Sequence, residues 1–190
     1  MTAANIAKML PGPLCPEARE WLETQPDART AWESCRRGDW LLYQLGHARG
    51  VDRRQLVLAA CECARMALRY VPAGEQRPRI AIDTAEALCR GEATMEQVLR
   101  ARYDTYDLGA GTRARAIAGA VAAAAGAIAY ASATSAYDVA TYAAYAAYAA
   151  ANLDEAEDAR RSVLAQCADI VRAHFAFEDL VSEAPRKETK

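Results

Sequence analysis

Apolar positions crowd the stretch from Asp52 to Val71, "DRRQLVLAACECARMALRYV". Placed at about 100° per residue, Leu56, Val57, Ala59, Ala60, Cys61, Cys63, Ala64, Met66, Ala67, Leu68, Tyr70 and Val71 cover most of a helix's circumference. Only Glu62, Arg65 and Arg69 form a polar strip, and Leu58 lies within it. A helix apolar on nearly every side predicts a central helix, about 52–71, with the rest of the domain wrapped around it.

The flanking segments carry helix starts and stops. Residues 1–15 read as irregular, with Pro11 and Pro13, and Pro16 suits the first position of a helix in "PEAREWLET". A helix over roughly 29–37 is predicted to end near Gly38. Asp39 then caps "WLLYQLGHA", which stops near Gly50. After "VPAGEQRP", a helix over about 76–90 ends at Gly91, and Thr94 with Gln97 forms a capping-box pattern for one running toward Leu108. "GAGT" (109–112) interrupts the chain. Helices over 113–133, 135–151 and 153–174 follow, the last capped by Asn152 or Asp154. From Ser182, "SEAPRKETK" reads as a solvated tail. No segment shows sustained period-two alternation. The predicted fold is all-α: a compact single domain of about eight or nine helices over residues 16–181.

The segment from 110 to 151 is more than half alanine, the strongest helix former. Its other residues are placed with order. Ile117, Val121 and Ile128 share one stripe, while Gly119, Ala122, Gly126 and Ala129 make a very small face suited to close backbone approach. In "TYAAYAAYAAA", Tyr142, Tyr145 and Tyr148 join Tyr137, Asp138 and Thr141 within an arc of about 140°. Val139, Ala140, Ala143, Ala144, Ala147 and Ala150 lie opposite, predicting a smooth docking face and a tyrosine face. The step of three fans the rings around the helix. Those rings either pack half-buried with their hydroxyls satisfied, or form a recognition surface.

Composition narrows the function. Net charge is −2 over 190 residues, so no general attraction to nucleic acid is expected. Residues 116–136 have the length of a membrane span, but alanine inserts too weakly for a spanning reading to be favoured. "MTAANIAKMLPGPLC" lacks the long apolar core of a secretory signal. A cytoplasmic location is therefore expected, with the six cysteines as free, mostly buried thiols.

Candidate chemistry is sparse. Cys61 and Cys63 point about 200° apart on a helix and cannot share one ion. His47 and His174 lack a Glu three residues before them, which excludes the Glu-x-x-His pattern of di-iron bundles. Nucleophile elbows, phosphate loops and dinucleotide fingerprints are absent. No catalytic residue, metal site or cofactor is expected. Glu62, Arg65 and Arg69 are read as a structural salt-bridged strip, with Asp83, Glu86 or Asp169 as partners. The alternative is an anion pocket in which Arg65, Arg69, Arg77 and Arg79 surround a phosphate or carboxylate. "RARYDTYDLG" brings Tyr103, Asp104, Tyr106 and Asp107 together, either as an ordinary exposed face or as an acidic, aromatic cover for a basic partner surface.

Several phrases occur together in order: "AWESCRRGDWLLYQL", "LVLAACECARMALRYVP", "RPRIAIDTAEALCRGEAT", the alanine tract and "CADIVR". Over roughly residues 30–175 the chain resembles a predicted family of all-helical immunity proteins found in bacterial and phage genomes. Trp32, Gly38, Asp39, Trp40, Cys63, Arg65, Arg77, Pro78, Glu86 and Gly91 match its recurring positions. The resemblance implies a non-enzymatic protein that neutralises a toxin or defence component by direct binding. Tyr137, Tyr142, Tyr145 and Tyr148 in the alanine tract and "YDTYDLGAG" depart from the family's plainer pattern, and partner specificity is expected there. A small-molecule binder that sequesters a nucleotide-like signal is the alternative, and homo-oligomerisation through the small faces stays open.

Overall fold

The structure is a computed structural model that describes residues 10–106, 136–153 and 156–181. Its described regular structure is all helical: α1 (Pro16–Glu23), α2 (Ala28–Ser34), α3 (Gly38–His47), α4 (Arg53–Arg65) continued by a 3₁₀ turn (Met66–Tyr70), α5 (Arg77–Arg90), α6 (Met95–Tyr106), α7 (Ala136–Ala151), α8 (Glu157–His174) and α9 (Phe177–Val181). The helix expected over 113–133, the small face on it, "GAGT" and the tail from 182 lie outside the described residues.

The central helix sits where its pattern puts it. α4 packs against α3, α5, α7 and α8. Leu56, Val57, Ala59, Ala60, Cys61, Cys63 and Ala64 are buried, while Glu62 is exposed and Leu58 and Arg65 are half-buried. The α-helix is shorter than the expected 52–71. Asp52 caps it by accepting from the Arg54 N–H, and beyond Arg65 the chain tightens into the 3₁₀ turn. Val71 is extended, as a residue before Pro72 should be, and the last turn narrows to reach it.

Local signals elsewhere are realised atom by atom. The Thr94 N–H donates to Gln97 Oε1 and the Gln97 N–H to Thr94 Oγ1, a reciprocal capping box. Gly91 ends α5 in the left-handed region at φ 79°. Two other expected caps differ. α8 begins after Ala156 without a side-chain cap, and Asn152 instead donates to the Tyr148 carbonyl at the end of α7. Asp39 is not the cap of α3, which begins at Gly38. It lies buried in the first turn, accepting two hydrogen bonds from the Arg37 guanidinium.

α7 docks by alanine. Ala146, Ala147, Ala149, Ala150 and Ala151 are buried against α3, α4 and α8. Small side chains let these helices approach closely, and many short-range dispersion contacts replace the reach of large residues. Among its largest fully buried side chains are Leu42, Leu45, Leu56, Val57, Ile82, Val163 and Val171, with Trp32 and Phe175 also buried in it. A second, smaller cluster of Leu22, Ala28 and Ala31 lies under Leu10, Leu14, Trp21 and Phe177.

Candidate functional site

The face of α7 opposite its buried alanines presents Tyr145 at 49% and Tyr148 at 46% exposure, with Thr141 exposed beside them. The i, i+3 step separates the two side chains by about 60° around the helix. Even so, the rings lean together, with centroids 6.5 Å apart and planes tilted by 40°. This is a favoured separation for an aromatic pair. The backbone of Tyr137, Asp138 and Tyr142 belongs to the same helix, but their side chains lie outside the described set. A Tyr pair on a helix whose other side is locked into the core is held at low entropic cost, because the backbone is already ordered.

The second predicted partner segment is the end of α6. Tyr103 is 67% exposed and Asp104 is exposed, whereas Thr105 is buried and donates to the Arg102 carbonyl. The Tyr106 side chain and Asp107 lie outside the described residues.

Arg65, Arg69 and Arg77 each engage groups of the same chain. Arg65 forms a fork with Glu86, Nε to Oε1 at 3.0 Å and Nη2 to Oε2 at 2.8 Å, and Nη2 also reaches Asp83 Oδ1 at 2.6 Å. The hydrogen bonds it donates to Glu86, outweighing partial burial, hold the guanidinium above its ordinary pKa. Arg77 pairs with Glu75 and donates to the Asp104 carbonyl, tying the start of α5 to α6. Arg69 lies 4.8 Å over the Tyr70 ring, and Arg79 is exposed. Asp169 pairs with Arg172, and Glu62 meets His174 at 2.9 Å. From the strip on α4, Arg65 thus bridges to Asp83 and Glu86 of α5 and Glu62 to His174 of α8, while Asp169, an expected partner, pairs within α8.

All six cysteines are free thiols. Burial pushes Cys35 up to about 11 and Cys61 well above the ordinary thiol range; Cys63 is raised first by its hydrogen bond with Cys167 and then by burial. High thiol pKa values leave little thiolate, so these groups are poor nucleophiles. Among the described residues, no three His, Cys, Asp or Glu side chains converge on a point that could hold a metal ion. No helix among them is long and apolar enough to cross a membrane.

One feature has no counterpart in the periodicity. A cavity of about 370 Å³ opens between α1, α2, α3 and the segment leading into α1. All three tryptophans of the chain, Trp21, Trp32 and Trp40, line it. Trp21 and Trp40 stand 6.0 Å apart at 56°, and Arg37 lies 4.3 Å over Trp40. Gln44 holds the leading segment, accepting from the Gly12 N–H at 2.8 Å and donating to the carbonyls of Gly12 and Pro13. The clustering of every Trp between positions 21 and 40 is visible in the sequence; their convergence is tertiary. Comparison with protein families, curated proteins and solved structures finds no match to this chain.

Proposed function

We propose that this chain is a non-enzymatic binding protein that neutralises another protein, a toxin or a defence component, by covering part of its surface. The observation that carries the reading is the exposed Tyr145–Tyr148 pair on a helix whose opposite face is buried. Tyrosine supplies broad contact area and a hydroxyl, and binding energy at interfaces concentrates in such residues. The resemblance to all-helical immunity proteins supplies the class of partner. The anion-sequestering alternative has less support at Arg65 and Arg77, since carboxylates of the same chain already engage both.

The test is native mass spectrometry of the protein recovered from a toxin-containing lysate, followed by calorimetry of the identified partner with wild type and with Tyr145→Ala/Tyr148→Ala. The double variant is expected to bind about thirtyfold more weakly or worse, on the scale of an interface hot spot of about 2 kcal/mol. Equal affinity of the folded double variant removes this face from the reading.

A further inference from the structure

We propose that the tryptophan-lined cavity is a binding site for an uncharged, planar aromatic small molecule, separate from the tyrosine face. Its size, about 370 Å³, falls within the range of sites that enclose small ligands. Ala18, Ala28 and Ala31 stand on its walls, all buried and all small. Larger residues at those positions would fill the space and gain apolar contact, so the alanines keep it open.

The chemistry of the walls selects the ligand. Trp21 and Trp40 form an aromatic corner, and rings prefer to meet other rings edge-to-face or offset. A cation would be drawn to an indole, but the Arg37 guanidinium already stacks on Trp40 and would repel a second positive charge. An anion would be drawn to Arg37, but its Nε and Nη2 are held by the buried Asp39 carboxylate, at 2.8 and 2.6 Å, which neutralises the charge. Among the described residues the charged group on the wall is Asp39, and its charge is met by Arg37, which stands behind the lining. The Gln44 amide is likewise committed, to Gly12 and Pro13. Among the described residues, what remains toward the cavity is mainly aromatic and aliphatic surface, with Tyr43 and the Cys15 and Cys35 thiols, which matches a neutral planar ring system better than a nucleotide.

Because the chain has no tryptophan elsewhere, its own fluorescence reports on this site. The probe is phenylnaphthylamine, a neutral planar fluorophore, titrated into the full-length protein. Expected are saturable one-to-one quenching of tryptophan emission with matching sensitised probe emission, and nuclear Overhauser contacts between probe protons and the indole N–H groups. Ala18→Phe, which fills the cavity, should weaken binding by about tenfold or more while circular dichroism and melting temperature stay near wild type. Absence of saturable quenching, or absence of indole contacts in the wild-type complex, overturns the proposal without relying on any variant. Unchanged affinity in a folded Ala18→Phe protein also overturns it. A linear alcohol such as decanol binding more tightly than the planar probe would refute the ligand class.

Discussion

Gly38 meets α8 so closely that a Cβ on it would stand 2.5 Å from the Cys167 Cβ and 2.6 Å from the Ala168 nitrogen. This glycine, which reads locally as a helix stop, is instead the first residue of α3 and the point at which α3 and α8 touch backbone to backbone. Gly38→Ala is expected to destabilise the protein by about 1–3 kcal/mol through overpacking. Urea unfolding measures it. Adding Cys167→Ala should not restore stability, because the Cβ remains and backbone atoms are equally close. Full rescue would show that the contact is looser than stated.

The alanine face of α7 makes a paired prediction. Ala147 is wholly buried, so Ala147→Leu should cost about 1–3 kcal/mol. Tyr148→Ala on the other side of the helix should change stability by no more than about 0.5–1 kcal/mol. Thermal melts of the two variants would reverse in order if the tyrosine face were the docked one.

Arg65 separates a structural bridge from an anion site. A double-mutant cycle with Arg65→Met and Glu86→Gln should give a coupling energy of about 1 kcal/mol, the scale of a bidentate, partly screened pair. Added inorganic phosphate should leave the melting temperature unchanged apart from the general salt effect. A phosphate-dependent rise that Arg65→Met abolishes would restore the anion pocket as a reading of this face.

Glu75 ties stability to pH. The Arg77 side chain, and then its backbone N–H, hold the Glu75 carboxyl at about 2 against an ordinary value of 4.5. A depressed folded-state pKa means that the contribution is complete above about 4.5 and drains away as the pH falls through about 2. The gap in urea midpoint between wild type and Glu75→Gln should therefore be widest above pH 5 and close toward pH 2. A gap that stays constant over that range would show that the ion pair does not couple to folding.

Much of this protein follows from its order of residues. The apolar circumference of α4, the stop at Gly91, the Thr94–Gln97 capping box and the smooth side of α7 all arise from forces acting within a turn or two of helix: side-chain periodicity, backbone hydrogen bonds and the left-handed freedom of glycine. The partners of Arg65 were also foreseeable, since Asp83 and Glu86 lie one helix away and a half-buried guanidinium needs a carboxylate. Tertiary structure alone decided the rest. His174 reaches Glu62 across 112 residues, Gly38 is read as a contact only once α8 lies on α3, and Asp39 becomes the buried mate of Arg37 only when α3 starts two residues early. The same holds for the three tryptophans, which share a cavity because α1, α2 and α3 fold back beneath the segment hung on Gln44. Such pairings depend on how helices lie against one another in space, and local periodicity carries no term for that.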